Sequence, residues 1–274
     1  MRAACAQGIY LLVLLRPGLV CPGRRFAWVN ESKRVFEGET GRQSARFPFF
    51  YSGGEEMDWA FIQKYAPMYV EAAWLTVRIG GIGILLSAAV GLLCCMARQA
   101  RVPVLSQICS GYIELARNTP LMVQLFFLYF GLPKIGVRLS GETCAIAGLA
   151  FLGGAYMAES FRSGLEAVSR AQKEAGACLG LTRMQNLRYV ILPQALATAI
   201  PAICANVIFL LKETSVFSAV AIADLMYVAK DLIGMYYKTD EALLMLVIAY
   251  LAILLPISWI FSRLERRLRH GGAV

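Results

Sequence analysis

The chain has 274 residues, of which 58% are hydrophobic and only 16% are charged, and its mean hydropathy is +0.58. Soluble domains carry about 25% charged residues, so this composition excludes an ordinary soluble enzyme and an intrinsically disordered chain. It indicates an integral membrane protein. The formal net charge of +9 is then explained by Lys and Arg in cytoplasmic loops, and it requires no nucleic-acid partner.

The sequence lacks the patterns that metal or ATP chemistry requires. The single His, His270, lies in a basic tail, so a His-based metal site is not available. The eight Cys show no C-x-x-C spacing, and four of them lie in apolar runs, where Cys behaves as a small apolar residue. No G-x-x-x-x-G-K-[ST] phosphate-binding loop occurs. We therefore expect no catalytic residue, no metal site and no cofactor bound by this chain.

Residues 1–56 differ from the rest of the chain. Their only apolar run, Ile9–Leu15, is too short to span a bilayer, and it lacks the A-x-A site of a cleaved signal peptide. Gly53-Gly54-Glu55-Glu56 precedes Met57 and reads as a translated, purine-rich ribosome-binding site would. We hypothesise that the native chain starts at Met57. Residues 1–56 are then a mis-assigned or disordered extension, and residues 57–274 form the transmembrane domain.

Five uncharged runs after Met57 approach or exceed the length needed to cross a bilayer, which is about 20 apolar residues. They predict helices at roughly 70–97, 113–132, 142–162, 192–211 and 241–262. A sixth run, 214–223, is shorter and predicts a re-entrant or cavity-lining helix. The predicted fold class is therefore an all-α integral membrane protein.

The charges between these runs predict the orientation of the chain. If the N-terminus lies outside, the inner segments carry a large excess of Lys and Arg over Asp and Glu, and the outer segments carry none. The positive-inside rule then predicts an outside N-terminus and a cytoplasmic C-terminus. The segment 163–190 is cytoplasmic in this orientation.

The segment 163–190 contains signals for two short helices. Ser169–Gln172 and Thr182–Gln185 both match the capping box S/T-x-x-E/Q, and Gly180 suits a helix C-terminus with positive φ. The pattern predicts a helix, a glycine turn and a second helix that runs into Pro193. It is compatible with docking of another protein and with an amphipathic helix on the membrane surface.

The same segment resembles a known signature. Glu174-Ala175-Gly176, Gly180 and Val190-x-Leu192-Pro193 follow the spacing E-A-A-x3-G-x9-I-x-L-P, the EAA signature of ABC-transporter permease subunits, with Gly and Val in place of Ala and Ile. Three further stretches resemble the permeases for polar amino acids (histidine, glutamine, arginine and opines): Glu114–Phe127, Ala155–Gly164 and Lys212–Ser215. The resemblance covers about residues 57–270.

This resemblance implies a type I ABC importer permease core of five transmembrane helices in the bacterial cytoplasmic (inner) membrane. It implies cytoplasmic ATPase subunits that bind ATP and Mg, a periplasmic or lipid-anchored amino-acid-binding protein, and a second permease subunit, identical or homologous. The segment 163–190 would be the coupling helix, with ATPase-docking residues Glu174, Ala175, Gly176, Gly180 and Pro193. The alternative is an ion-coupled secondary transporter or channel, against which the lone tail His counts because proton relays in membranes use His or carboxylates.

Polar residues inside or beside the predicted spans are candidates for the substrate path, because placing them in a membrane is costly. The candidates are Glu114, Arg117, Asn118, Thr119, Glu159, Asn206, Glu213, Thr214 and Ser215. An amino acid carries an ammonium and a carboxylate, so its path needs both acceptors and donors. Glu213 would supply the acceptor, and Thr214 with Ser215 the donors.

Structural roles compete with the substrate-path interpretation. The pairs Glu114–Arg117 and Glu159–Arg162 have the i, i+3 spacing of ion pairs within a helix. Pro120 is suited to a hinge, since proline removes one helix hydrogen bond. Asn206 is suited to an interhelical hydrogen bond, the commoner use of Asn within a membrane.

Overall fold

The computed structural model describes residues 57–99 and 102–271, with side chains up to residue 267. Within these ranges the regular structure is entirely helical. The helices are α1 (Trp59–Gln99), α2 (Pro103–Asn118), α3 (Leu121–Phe126), α4 (Gly141–Ala167), α5 (Arg170–Cys178), α6 (Arg183–Asn186), α7 (Leu192–Glu213), α8 (Leu225–Tyr236) and α9 (Thr239–Gly271). The hypothesis about residues 1–56 concerns a segment outside the described residues.

Four helical segments in the described ranges have the length and apolar composition needed to cross a membrane. They are Trp59–Gln99, Gly141–Ala167, Arg183–Val220 and Thr239–Arg267. They correspond to four of the five predicted spans. The first begins earlier than predicted because Phe61, Tyr65 and Tyr69 are buried against α8 and α9, and the Tyr69 hydroxyl donates a hydrogen bond to the Ala242 carbonyl (2.8 Å).

The remaining predicted span, 113–132, is not one continuous helix. α2 ends at Asn118, and α3 begins at Leu121 and continues into a π turn (Phe127–Gly131) and a 3₁₀ turn (Leu132–Ile135). The apolar stretch Leu121–Ile135 is therefore a separate and shorter helical segment. The correction follows from Pro120, which cannot donate the backbone hydrogen bond that would continue α2.

α4 lies at the centre of the packing and contacts α1 and α7 along its length. Small residues allow the close approach of α1: a Cβ on Gly83 would lie 2.7 Å from Leu149 Cδ2, and one on Gly91 would lie 2.8 Å from the Ala158 nitrogen. Between them, the Ser87 hydroxyl reaches the Leu149 carbonyl of α4 (3.0 Å). Close backbone contact of this kind is how membrane helices gain packing energy in the absence of water.

The short apolar run 214–223 forms neither a separate spanning helix nor a re-entrant one, because its first part is the end of the long segment Arg183–Val220. Thr214–Val220 is a 3₁₀ helix that continues α7, and the chain then turns at Ala221, which has a φ of 56°. This 3₁₀ helix packs against α3, so the two interrupted helical segments of the molecule contact each other. Phe217 and Leu125 are fully buried in the cluster that they share.

Candidate functional site: a pocket beside a helix break

The junction of α2 and α3 is an extended dipeptide. Thr119 and Pro120 have ψ angles of 130° and 142°. In a continuous helix the carbonyl of Ala116 would accept a hydrogen bond from the N–H of residue 120, but proline has none. The Gln124 side chain supplies the donor instead, since its Nε2 lies 3.2 Å from the Ala116 oxygen, 3.2 Å from the Thr119 carbonyl oxygen and 2.7 Å from Thr119 Oγ1.

Two of the predicted substrate-path residues also complete the end of α2. The Thr119 hydroxyl donates to the Leu115 carbonyl, and Asn118 Nδ2 donates to the Glu114 carbonyl, both at 2.8 Å. The last four carbonyls of a helix have no intrahelical donors, so the Thr119 bond satisfies the Leu115 carbonyl, and the Asn118 bond adds a side-chain donor at the carbonyl before it. The hinge predicted at Pro120 is thus present as a complete break, at which side chains donate hydrogen bonds to the carbonyls at the end of α2.

A cavity of about 260 Å³ opens beside this break. It is lined by Ile113, Glu114, Arg117 and Asn118 from the last turns of α2 and by Tyr156 from α4. This volume is below the range of about 300–1,000 Å³ found for drug-sized ligands. The cavity therefore suits a small ligand.

The lining of the cavity carries one carboxylate and one guanidinium. The Arg117 guanidinium carbon lies 5.3 Å from the centre of the Tyr156 ring, within the range of a cation–π contact. Glu114 and Arg117 form no ion pair with each other in the structure, so the i, i+3 pair that competes with the substrate-path interpretation is absent. Both side chains are exposed, and their charges are available to a ligand in the cavity.

Glu159 lies outside this cavity, in an ion-pair network where α1 ends. Its carboxylate contacts Arg162 one turn later in α4 and Arg98 Nη1 in α1 (2.8 Å), while Arg162 also contacts Glu166 (2.6 Å). The predicted Glu159–Arg162 ion pair is confirmed. The network links α1 to α4 at the end of the bundle opposite the start of α1.

Asn206 forms the interhelical hydrogen bond that competes with a path role. Its Nδ2 in α7 donates to Ser160 Oγ (2.8 Å) and to the Tyr156 carbonyl (3.2 Å) in α4. Asn206 is absent from the cavity lining. It fixes the α4 backbone at the residue whose ring faces Arg117.

The candidates at the second interruption do not line the cavity either. Thr214 is fully buried, and its hydroxyl donates to the Leu211 carbonyl (2.7 Å), while Glu213 and Ser215 are half-buried. After the turn, Asp224 is also fully buried and caps α8 by accepting a hydrogen bond from the Tyr227 N–H (2.9 Å). Burial of its carboxyl between the spanning segments raises the pKa of Asp224 to about 6.

The loop 163–190 has the predicted helix–turn–helix form. Ser169 Oγ accepts from the Gln172 N–H (3.3 Å) at the start of α5, and Gly180 has a φ of +77° where α5 ends. A complete capping box joins Thr182 and Gln185 at the start of α6. These local signals were sufficient to predict both helices because each bond joins residues three positions apart.

The predicted docking residues of this loop are not equally accessible. Glu174, Ala175, Gly180 and Pro193 are exposed. Gly176 is buried, because the Asn186 side chain of α6 packs directly on it: a Cβ there would lie 2.7 Å from the Asn186 carboxamide carbon.

The exposed surface of the loop carries large apolar side chains among its charged and polar ones. Leu179 is 81% exposed, and Met184 and Tyr189 are similarly open. Exposed apolar surface of this kind, next to charged residues such as Glu174, is typical of a protein–protein contact.

Comparison with known proteins finds a matching family and several relatives. The sequence profile of the family described as "Binding-protein-dependent transport system inner membrane component" matches residues 83–270. The glutamine transport system permease protein GlnP of Escherichia coli (strain K12) is 33% identical over 216 residues, which are 78% of this chain and 99% of that protein. The probable glutamine ABC transporter permease protein GlnP of Bacillus subtilis (strain 168) is 34% identical over 214 residues, 76% of this chain and 98% of that protein.

This chain belongs to that family. It is a membrane component of a transport system and not an enzyme. The crystal structure of an amino acid ABC transporter with histidines matches the permease with a TM-score of 0.73 and 31% identity, covering 78% of this chain and 100% of that one. An inward-facing structure of the MetNI methionine ABC transporter, 21% identical with a TM-score of 0.57, shares the fold over 77% of this chain and 99% of that chain.

Three residues of the pocket region in the permease were not predicted as site residues: Ile113, Tyr156 and Gln124. Tyr156 lies three residues before Glu159 in α4, so the i, i+3 spacing places it near a candidate, and this is the signal that sequence reasoning could have used. The role of Gln124 has no comparable signal, because its acceptor on Ala116 belongs to another helix.

Proposed function

We propose that the permease is a membrane-spanning subunit of an ATP-driven importer of polar amino acids and that the cavity beside the α2–α3 break is a substrate site. The observation that carries this proposal is the cavity itself, which places the Glu114 carboxylate and the Arg117 guanidinium one helical turn apart without an ion pair between them. A carboxylate accepts from an ammonium, and a guanidinium binds a carboxylate in bidentate fashion. The two charges match the two ends of an amino acid.

The relatives support this choice of substrate class. Two are named for glutamine transport, and the structure with a TM-score of 0.73 is an amino acid ABC transporter with histidines. The pocket binds the backbone charges that all amino acids share, so the choice among side chains falls to other contacts.

In this proposal, α5 of the permease docks on a cytoplasmic ATPase. Glu174, Ala175 and Gly180 lie on the exposed side of the loop, and Leu179 and Met184 add apolar contact area. The ATPase binds ATP and Mg²⁺, and this chain binds no cofactor. Closure of the ATPase pair moves α5 and thereby alternates access to the pathway.

The remaining parts of the importer follow from the same function. A periplasmic or lipid-anchored binding protein delivers the amino acid at the outer face, and a second permease subunit, identical or homologous, completes the pathway. The N-terminus lies outside and the C-terminus in the cytoplasm, because this orientation places the Lys- and Arg-rich segments inside. It requires an odd number of crossings, so α2 and the segment Leu121–Ile135 together make a fifth crossing beside the four long segments.

Reconstitution in proteoliposomes with the ATPase and the binding protein tests the function. We expect uptake of radiolabelled L-glutamine, L-histidine or L-arginine that requires both ATP and the binding protein. Uptake that is driven by an ion gradient without ATP would overturn the proposal in favour of a secondary transporter.

Variants of the pocket test the site. Glu114→Gln and Arg117→Gln each remove a charge-assisted hydrogen bond to the substrate and should weaken amino-acid binding about ten-fold or more. Arg138→Gln is the matched control, because Arg138 is an exposed cation outside the cavity. Equal binding by all three variants would show that the amino acid binds elsewhere.

A further inference from the structure

The Ala116 carbonyl of the permease loses its backbone hydrogen-bond donor at the α2–α3 break. Ala116 is fully buried, so bulk water does not reach the site, and Pro120 has no N–H to offer. Buried carbonyls that lose their donor are costly, and almost all of them in folded proteins are paired. Gln124 Nε2 donates to this carbonyl at 3.2 Å, and the Thr119 hydroxyl lies farther away, at 3.4 Å.

The Gln124 amide donates to more than the Ala116 carbonyl. Its two protons are shared among three oxygens, which belong to Ala116 and to the carbonyl and hydroxyl of Thr119. The Thr119 hydroxyl in turn donates to the Leu115 carbonyl. A chain of hydrogen bonds therefore runs from α3 across the break into the last turn of α2.

The residues held by this chain are neighbours of the pocket residues. Glu114, Arg117 and Asn118 line the cavity, and Leu115 and Ala116 lie between them in the same turn of α2. Since carbonyls in one turn move together, the position of the Ala116 carbonyl fixes the direction in which Glu114 and Arg117 project. Gln124 itself is absent from the cavity lining.

We propose that Gln124 is a positioning residue for substrate binding, which holds the α2–α3 break so that Glu114 and Arg117 face the cavity. The proposal rests on the assignment of the cavity as the amino-acid site. It adds a residue that acts through the break and has no contact with the substrate.

The test compares Gln124→Met with Gln194→Met in the complete permease–ATPase complex. Met has a similar length to Gln but no N–H donors. Gln194 is the matched control, because its Nε2 also donates to a backbone carbonyl, that of Val190 (3.0 Å), beside a proline. Binding of L-glutamine, L-histidine and L-arginine is measured by calorimetry, and uptake by the reconstituted complex is measured over a range of amino-acid concentrations.

We expect Gln124→Met to weaken binding about ten-fold and to raise the concentration for half-maximal uptake, with the maximal rate and the basal ATPase activity within about two-fold of wild type. Gln194→Met should leave binding within about two-fold. Wild-type affinity in Gln124→Met, or equal loss in both variants, would overturn the positioning role. Absence of binding by the wild-type complex would instead count against the pocket itself.

Thr119→Val provides a second variant that keeps the test decisive if Gln124→Met fails to assemble. It removes the hydroxyl that Gln124 contacts while preserving the shape of the side chain. Binding should weaken in the same direction, and unchanged binding would contradict the proposal. Where both single variants assemble, the double variant should lose no more affinity than the larger single loss, because residues in one network are not additive.

Discussion

The α5–α6 loop and the α2–α3 break both interrupt a helical path, but they are stabilised in different ways. In the loop, exposed caps such as Ser169 and Thr182 bond to backbone groups three residues away. In the break, the half-buried Gln124 side chain donates to a carbonyl eight residues away on another helix. A region whose bonds all lie within it keeps its shape when a partner moves it, whereas a region held between surrounding helices changes when those helices move.

This difference suits the two proposed roles. The loop must transmit motion from the ATPase as a rigid unit, and its bonds lie inside the loop itself: the local caps, and the bond from Asn186 Nδ2 to the Lys173 carbonyl (2.7 Å) that joins α6 to α5. The break must respond to rearrangement of the surrounding helices, since α3 packs against the 3₁₀ helix Thr214–Val220 and against α4. Each region should therefore depend on its own set of contacts.

The largest effect is expected from charge reversal in the loop. Glu174→Arg replaces an exposed carboxylate in the proposed docking surface, and like charges brought together at an interface cost several kcal/mol. Co-purification of the ATPase and ATP-driven uptake should both fall by about ten-fold or more, while amino-acid binding by the permease is retained. Quantitative pull-down and calorimetry measure the two quantities separately.

Asp240→Arg is the control for this reversal. Asp240 is also an exposed carboxylate, but it lies in the first turn of α9, near the start of α1. ATPase association should remain at the wild-type level. Intact association in Glu174→Arg, or equal loss in both variants, would argue against docking through α5.

A smaller effect is expected at the break, where a substitution should weaken amino-acid binding without lowering thermal stability. Pro120→Ala supplies the missing N–H to the Ala116 carbonyl and allows α2 to continue towards α3. Ala is about 3 kcal/mol more favourable than Pro in a helix interior, so thermal stability should be unchanged or higher. Amino-acid binding should nevertheless weaken about five-fold, because Glu114 and Arg117 lose the orientation that the break gives them.

Pro256→Ala is the matched control, because Pro256 lies inside α9 and outside the cavity lining. It should leave amino-acid binding unchanged. Wild-type affinity in Pro120→Ala would mean that the break does not shape the pocket. Lower stability together with lower affinity would point to general damage and not to loss of the break.

The same two regions show what the sequence could predict. The caps at Ser169 and Thr182 and the turn at Gly180 were predictable because each depends on residues close in sequence. The break was visible only as a proline. Whether a proline bends a helix or divides it depends on which side chain satisfies the freed carbonyl, and that contact, from Gln124, forms only in the folded chain.

Among the substrate-path candidates, contacts within one helix were predictable and contacts between helices were not. The Glu159–Arg162 pair was predictable from its spacing, since both residues lie on one helix. The Arg117–Tyr156 contact was not predictable, because it joins α2 to α4. Its formation depends on how the two helices pack, so a sequence pattern suggested Arg117 as a candidate but not its partner.

The smallest effect is expected where the loop departs from the signature that it resembles. Gly176 stands in place of Ala, and the structure gives a reason: the Asn186 carboxamide fills the space of a Cβ while its Nδ2 donates to the Lys173 carbonyl (2.7 Å). Gly176→Ala would force α5 and α6 apart, and overpacking of this kind costs about 1–3 kcal/mol. Because Asn186 can yield part of the space, we expect ATPase association to fall about three-fold.

Two further variants separate overpacking from a general effect of Ala. Gly111→Ala adds the same methyl group to a helix of the permease where nothing lies within 4 Å, so it should leave association unchanged and raise stability slightly. The double variant Gly176→Ala, Asn186→Ala removes the clash and should recover part of the lost association. No recovery would mean that Gly176 matters through direct contact with the ATPase, which would make its burial against Asn186 incidental to docking.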